Sequence, residues 1–177
     1  ANIIEEGKVG GPQIRIVSMA NAMVSDVETT VIMPAHNSAT FQKICNDNNV
    51  KYKTLPLTRL TREKLVAVRY IIFSVFEIIG LCIYFRKEKF DIIHVSGGSW
   101  QYKGIIAGKI SGIKVLWHIN DTYAYPFFRK LFSKISYLTD GFVYASNRSL
   151  DYYSDEVPRD KRSFIIPAPV DTEKFKP

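Results

Sequence analysis

The chain has 177 residues, of which 46% are hydrophobic and 13% aromatic, which suffices for the packed core of one domain, since domains have ~100–200 residues. The net charge of +7 favours phosphates, anionic lipid head groups or nucleic acid as partners, with a merely soluble basic protein as the open alternative. Cys45 and Cys82 are far apart in the sequence and match no metal-ligand spacing, and we interpret both as reduced, buried thiols of a cytosolic protein.

Short β-rich runs alternate with helical patterns from one end of the chain to the other. After Asn2-Ile3-Ile4, interpreted as the end of a truncated first strand, strands are predicted at Thr29–Met33, Lys51–Leu55, Asp91–Val95, Lys114–Ile119, Gly141–Ala145 and Ser163–Ile166. Helices are predicted at Ile14–Val24, Arg62–Lys87, Trp100–Ser111, Pro126–Leu138 and Arg148–Tyr153. The fourth and fifth strands are apolar at nearly every position, as in strands buried on both faces. The alternation predicts an α/β fold, a Rossmann-like open parallel sheet with helices on both faces.

The long apolar segment Leu65–Phe85 has only Arg69 and Glu77 as charged residues. Its length matches the ~20 apolar residues that a bilayer-spanning helix needs. The polar residues gather on one side of the helix, and a spanning helix would interrupt the sheet. We therefore predict a helix that covers the sheet. The alternative is that its basic edge rests on a membrane surface, through Arg59, Arg62, Lys64, Arg86 and Lys87.

Two glycines precede the first helix, at the carboxyl end of the first strand, where open parallel sheets bind ligands. Gly10 and Gly11 would let backbone amides approach a ligand, and a helix N-terminus favours an anion. Arg15, on the first turn, would add positive charge. The segment is neither a P-loop nor the three-glycine dinucleotide fingerprint, so a plain turn and a solvated arginine remain alternatives.

The fourth strand leads into Ser96-Gly97-Gly98-Ser99, whose small residues would leave room for a ligand. Trp100 follows and would form an apolar wall for a sugar ring, or else pack its helix onto the sheet. Ser96, Gly97 and Trp100 are therefore candidate substrate-binding residues.

The fifth strand ends at His118, and Asp121 and Tyr123 follow in the loop. A histidine at this position can donate a hydrogen bond to a substrate hydroxyl or phosphate, and a nearby carboxylate can orient it. A core histidine with satisfied hydrogen bonds is the alternative, and it fits His94, which lies inside an apolar run, better than it fits His118. No cluster of His, Cys, Asp and Glu has metal-ligand spacing, so no metal is predicted.

Several of these segments together resemble one family, the N-terminal domain of family 4 retaining glycosyltransferases with the GT-B fold. The resemblance covers nearly the whole chain and rests on Gly10-Gly11, Asp91-Ile92-Ile93-His94, Trp117-His118-Ile119-Asn120-Asp121, Asp140–Ser146 and the closing Ile165–Pro177. It implies that residues 1–166 form an N-terminal acceptor-binding domain, that 167–177 begin an interdomain linker, and that the C-terminal donor-binding domain is absent. Ala168-Pro169 and Asp26-Val27-Glu28 depart from the usual Asn-Gly and Gly-His-Glu of the family.

The resemblance implies an enzyme that transfers a sugar from a nucleotide-sugar to an acceptor with retention at the anomeric carbon, without a metal or other cofactor. The glycine loop would approach the donor phosphates, and His118 would contact the transferred sugar. We therefore assign His118 and Asp121 as catalytic and Gly10, Gly11, Arg15, Ser96, Gly97, Trp100 and Tyr123 as substrate-binding.

The expected role is the acceptor-binding half of a cytoplasmic enzyme of surface polysaccharide or glycolipid synthesis, with membrane contact as an open possibility and no activity in this chain alone. Two alternatives stay open. One is a nucleotide- or nucleic-acid-binding regulatory module, for which the positive charge argues but for which no aromatic-rich basic motif is present. The other is a nucleotide-sugar epimerase of the same two-domain architecture.

Overall fold

The computed structural model describes residues 1–59 and 64–168. Within these ranges the chain forms seven strands and six helices. The strands are β1 (Asn2–Ile3), β2 (Thr30–Pro34), β3 (Lys51–Leu55), β4 (Ile92–Gly97), β5 (Lys114–Ile119), β6 (Gly141–Tyr144) and β7 (Arg162–Ile165). The helices are α1 (Gly11–Ala22), α2 (Ala39–Asp47), α3 (Lys64–Glu88), α4 (Lys103–Ile110), α5 (Pro126–Ser136) and α6 (Asn147–Tyr153).

The strands form one open sheet in the order β3-β2-β1-β4-β5-β6-β7, and every neighbouring pair is parallel. The strand order reverses between β1 and β4. In such sheets the connections on either side of the reversal leave in opposite directions, which opens a crevice at the carboxyl ends of these strands. The predicted Rossmann-like parallel sheet is therefore confirmed, and its crevice lies beside β1, β4 and β5.

Two separate cores lie on the two faces of the sheet. Helices α1 and α2 cover one face, where Ile16 and Phe41 pack against Val31. Helices α3 to α6 contribute to the core on the other face, which is centred on Trp117. Since side chains alternate along a strand, the residues between the members of this second core point toward α1. The polar side chains of β4 and β5 therefore share the α1 side of the sheet.

Most predicted elements are confirmed, and several of their ends shift. Strands β3 and β5 have the predicted bounds, whereas α1 begins three residues early because Pro12 suits a first helical turn. Helix α4 begins at Lys103, so Trp100 lies in the preceding loop. Helix α2 was not predicted, because only Phe41 and Cys45 are buried along an otherwise polar segment. The predicted helix start at Arg62 and residues 169–177 of the predicted linker lie outside the described residues.

Helix α3 turns polar side chains inward and most of its large apolar side chains outward, the reverse of what its hydrophobicity alone would indicate. Tyr70, Ser74 and Glu77 are buried, whereas eight large apolar side chains are 43–68% exposed. We call these eight residues the α3 apolar face: Val68, Ile71, Ile72, Phe73, Val75, Phe76, Ile79 and Ile83. The reason is an ion pair beneath the helix, where the ammonium of the fully buried Lys103 lies 2.5 Å from Glu77 Oε2.

Candidate functional site

A cavity of about 380 Å³ opens at the carboxyl ends of β1, β4 and β5. The predicted site residues Gly10, Gly97, Trp100 and Asp121 line it. The other lining residues are Ile4, Glu6, Lys8, Val9, Pro12, Gln13, Gly98, Gln101 and Asn120. The topology thus brings loops from three strands to one cavity, as expected for an open parallel sheet.

The glycine turn at the start of α1 is fixed by one side chain that the sequence analysis missed. The Gly10 N–H donates to Gln13 Oε1 at 3.1 Å, and Gln13 Nε2 donates to the Glu6 carbonyl at 2.9 Å. Gly11 is the exposed first residue of α1 and is not among the lining residues. The first turn carries no acidic residue, so its partial positive charge is not neutralised within the helix. This arrangement favours an anionic group in the cavity.

Arg15 is buried behind the cavity and is not solvated, as one alternative had supposed. Its side chain is 6% exposed, and its Nη1 donates to Asn120 Oδ1 at 2.5 Å. Its Nε and Nη2 atoms find no hydrogen-bond partner among the residues that the structure describes. Burial lowers the pKa of Arg15 to about 10, so the group stays charged at neutral pH. A buried cation with free donors is costly, and an anion or several hydroxyl groups would offset this cost.

His118 is fully buried and stacks on His94 of the neighbouring strand, with ring centroids 5.4 Å apart and planes at 16°. The Nδ1 of His118 lies 3.3 Å from His94 Nε2, and His94 Nδ1 lies 3.4 Å from Asn2 Nδ2. Within the described chain, His118 Nε2 has no partner. The alternative of a core histidine with satisfied hydrogen bonds therefore does not fit His118.

Both histidines are neutral at physiological pH. Burial, followed by the charge of Arg15, lowers the pKa of His118 to about 2 and that of His94 to about 4. In a neutral imidazole one nitrogen donates and the other accepts. The role of His118 Nδ1 in its contact with His94 therefore decides whether His118 Nε2 donates a hydrogen bond to a ligand or accepts one from it. The prediction that His94 is a core residue with satisfied hydrogen bonds places it outside the site, whereas the structure stacks it on His118. The alternation of side chains along neighbouring parallel strands was the signal that could have brought it into the site.

Asp121 does not orient His118, which corrects the predicted pairing. Its Oδ2 accepts hydrogen bonds from the Ser99 backbone N–H and Oγ, each at 3.1 Å, and its Oδ1 accepts one from the Tyr153 hydroxyl at 3.1 Å. The predicted pairing is absent because both oxygens of the carboxylate are already hydrogen-bonded, one to Ser99 and the other to Tyr153 of α6. Burial raises the pKa of Asp121, and the bonds from Ser99 and Tyr153 oppose this shift. Asp121 thus ties the loop after β4 to the loop after β5.

The loop after β4 depends on Gly97, whose φ of 143° is rarely open to other residues. A Cβ at this position would lie 1.9 Å from Gln101 Nε2. Gln101 in turn accepts a hydrogen bond from the Glu5 N–H at 2.9 Å. Gln101 therefore holds the loops after β1 and β4 together, a role that its spacing in the sequence did not reveal.

The remaining predicted residues differ in position. Ser96 is fully buried on the α1 side of β4, and its Oγ has no partner within the described part of the chain. Trp100 is half-buried and lines the cavity, and its role as an apolar wall for a sugar ring stays a prediction. Tyr123 is 64% exposed, packs against Tyr125 and does not line the cavity. Among residues 1–59 and 64–168, no group of three or more His, Cys, Asp or Glu side chains is placed to hold a metal ion.

Several solved structures share this fold at low sequence identity. Anabaena HepE in complex with UDP and glucose superposes with a TM-score of 0.75 at 12% identity, over 97% of this chain and 45% of HepE. A glycosyltransferase from Rickettsia africae gives 0.74 at 16% identity, over 99% of this chain and 44% of that protein. A putative UDP-N-acetylglucosamine 2-epimerase from Listeria monocytogenes gives 0.61 at 14% identity, over 88% and 41%. No curated protein sequence matches the chain.

The chain therefore has the fold of one half of a GT-B glycosyltransferase, and it spans less than half the length of these relatives. The model of Glycosyltransferase Family 4 matches residues 9–174, and the chain belongs to that family.

Proposed function

We propose that the full-length protein transfers a sugar from a nucleotide-sugar to an acceptor, and that this chain forms the acceptor-side wall of the cleft. The observation that carries the proposal is a set of buried polar atoms without partners in the described chain, on Asn120, Arg15 and His118. Asn120 lines the cavity, whereas Arg15, which donates to Asn120, and His118, near the end of β5, are buried and are not lining residues. Sugar hydroxyls and a diphosphate would supply the missing hydrogen bonds. Membership of Glycosyltransferase Family 4 supports sugar transfer as the reaction.

The positive groups of the site suit the diphosphate of a donor. Arg15 carries a buried charge, and the N-terminus of α1 beside Gly10 adds the partial charge of a helix end. The departing nucleoside diphosphate gains negative charge as the sugar leaves. Donors that are already oriented toward this charge lower the barrier without reorganisation.

The neutral groups suit the sugar and the acceptor. His118, uncharged and buried, would form a hydrogen bond with a sugar hydroxyl through Nε2. Asp121, at the cavity wall, would accept a hydrogen bond from an acceptor hydroxyl while Ser99 and Tyr153 hold it in place. Trp100 would contact the apolar face of a sugar ring.

The finer features of the reaction are proposed from the family resemblance. They are retention at the anomeric carbon, independence of metal and other cofactors, action in the cytoplasm, and a surface polysaccharide or glycolipid as product. The donor-binding half would follow the linker at 167–177, and this chain alone would be inactive.

The test is sugar transfer by full-length protein carrying His118→Ala, with nucleotide-sugars and carbohydrate acceptors as substrates. Loss of one oriented hydrogen-bonding group in such a site costs about 10²–10³-fold in rate. His36→Ala is the matched control, because His36 is exposed in the loop after β2 and outside the cavity. Equal activity of the two variants would contradict the proposed role of His118.

The products separate this proposal from its two alternatives. An epimerase converts a nucleotide-sugar without an acceptor, so an epimerised donor and no glycosylated product would favour that alternative, whose fold the Listeria structure shares. Salt-dependent binding of a random oligonucleotide, with no response to nucleotide-sugars, would favour a nucleic-acid-binding module.

A further inference from the structure

The α3 apolar face is an unusual surface for a helix of an α/β domain. It extends over about 22 Å along the helix, at 1.5 Å per residue from Val68 to Ile83. The segment Val68–Glu88 is long and apolar enough to cross a membrane by length and composition, with a mean hydropathy of 1.9. Exposed apolar patches of this extent on a monomer mark interaction sites.

The orientation of α3 is fixed by the polar groups on its buried side. Glu77 Oε1 accepts a hydrogen bond from the Thr58 N–H at 3.0 Å, and Glu77 Oε2 pairs with Lys103. The Ser74 hydroxyl lies 3.2 Å from the Tyr102 hydroxyl. If the helix rolled to bury its apolar face, these groups would lose their partners. The apolar face therefore stays outward as long as the domain is folded, and α3 cannot leave the domain to span a bilayer without breaking this pairing.

The chemistry around the face favours an anionic lipid surface over a protein partner. Basic side chains flank both ends: Arg69 at one end, and Arg86 and Lys87 in the last turn, with Glu88 as the one acidic residue of that turn. Between the ends, residues 70–85 expose no charged side chain. An apolar helix face with cations at its margins is the pattern of helices that lie in the interface of anionic membranes.

An apolar groove runs along the edge of the face. It has a volume of about 270 Å³ and lies between α3 and the segment after β3, with Leu57, Phe73, Phe76 and Leu81 among its apolar lining residues. Arg69 also lines it, as does Glu77, whose carboxylate is paired with Lys103. A groove with mainly apolar walls and an arginine among its lining residues fits a hydrocarbon chain with a phosphate head group. This gives the surface a second feature that suits lipid.

The buried side of α3 contacts the wall of the cavity near the start of the helix. The Tyr70 hydroxyl, at the start of the described side chains of α3, lies 3.3 Å from the carbonyl of Trp100, which lines the cavity. A membrane in contact with α3 would therefore lie next to the cleft, where an acceptor anchored in lipid could enter.

We propose that the α3 apolar face lies flat on an anionic phospholipid bilayer and holds the cleft at the membrane surface. The seating itself follows from α3 alone, whereas the delivery of an acceptor to the cleft rests on the proposed function.

The experiment is flotation of the full-length protein with vesicles of phosphatidylcholine alone and of an equal mixture with phosphatidylglycerol. The protein should float with the mixed vesicles and be released by salt. Ile72→Glu combined with Phe76→Glu should lower the bound fraction about tenfold or more, because two apolar contacts are replaced by charges that an anionic surface repels. Arg69→Gln and Lys87→Gln should each weaken binding on the order of fivefold.

Val24→Glu is the matched control, since Val24 is an exposed apolar residue beyond the end of α1 and far from α3. It should float like the unmodified protein. Circular dichroism checks that each variant is folded, which is expected because Ile72 and Phe76 are exposed. Flotation needs no catalysis, so its result is independent of the His118 experiment.

Three outcomes would overturn the proposal. The first is that unmodified protein binds neither vesicle. The second is that it binds both vesicles equally, which removes the role of charge. The third is that Phe76→Glu converts a dimer to a monomer in sedimentation without affecting vesicle binding, in which case a second copy of the chain covers the face.

Discussion

The substitution Lys103→Met tests whether the buried ion pairs of Lys103 stabilise the fold. The lysine ammonium lies 2.5 Å from Glu77 Oε2, 3.5 Å from Glu5 Oε2 and 2.7 Å from the Thr58 carbonyl. It also lies 3.8 Å from the centroid of the Tyr70 ring. The methionine keeps a flexible apolar chain in the space of the lysine stem but removes the charge. The two carboxylates then face each other without a cation.

The size of the effect follows from the burial of these groups. Removing one partner of a buried ion pair costs about 3–5 kcal/mol, and we expect the upper end because two carboxylates lose their counter-charge. Burial already raises the pKa of Glu5 in the intact chain. A carboxylate with a raised pKa takes up a proton more readily in the folded state, so the penalty of Lys103→Met should shrink as the pH falls toward 5.

The assay is urea unfolding followed by circular dichroism, with Lys109→Met as control, because Lys109 is exposed on the same helix. The control should change the free energy of unfolding by less than about 0.5 kcal/mol. Adding Glu77→Gln to Lys103→Met should restore part of the loss. The reasoning is refuted if Lys103→Met and Lys109→Met are equally stable at pH 7, or if the penalty grows on acidification.

Three further predictions concern stability. Because the folded pKa of His94 is about 4, below its ordinary 6.5, its contribution is complete above pH 6.5 and is lost as the pH falls toward 4. Between pH 6.5 and pH 4 the free energy of unfolding of His94→Gln should therefore fall less steeply than that of the unmodified protein, by up to about 1.4 kcal/mol per pH unit. If urea unfolding gives the same dependence on pH for both proteins, the ring of His94 is not neutral in the folded state. Gly104→Ala places a Cβ 2.7 Å from a β1 side chain and should lower the free energy of unfolding by about 1–3 kcal/mol. Gly80→Ala, at an exposed position of α3, should raise it by about 0.5–1 kcal/mol. If Gly104→Ala unfolds at a higher temperature than Gly80→Ala, the packing described around Gly104 is wrong. Tyr153→Phe removes the bond to Asp121 at 3.1 Å and should cost about 1–3 kcal/mol by the same assay, and a neutral result would mean that the two bonds from Ser99 are enough to satisfy the buried carboxylate.

The sheet could be predicted from the sequence because its strands carry their own signal. Ile92–Val95 and Val115–Ile119 are apolar at nearly every position, which requires cover on both faces, and the helical segments between them require parallel pairing. Helix α2 escaped prediction although Phe41, Ile44 and Cys45 follow helical spacing, because the segment is short and otherwise polar.

The orientation of α3 could not be predicted, because hydrophobicity alone assigns the wrong side of the helix to the interior. The side that is buried carries Glu77, and its counter-charge comes from Lys103 on a different helix. In the same way, Asp121 finds Tyr153 32 residues later in the chain. Pairings between distant segments depend on the assembled fold, whereas His118 and the glycine turn could be found because the ends of parallel strands meet at one edge.

The polar underside of α3 determines how the protein would behave when a cell is broken open. Because the ion pair between Glu77 and Lys103 fixes α3 in the domain, only the apolar face of the helix can contact lipid. If α3 lies on the membrane as proposed, part of the affinity of the protein for the membrane is electrostatic and is screened by salt. The protein would then sediment with membranes in a dilute lysate and move to the soluble fraction in a saline wash, without detergent. Its apparent location would depend on the buffer in which the cells are opened.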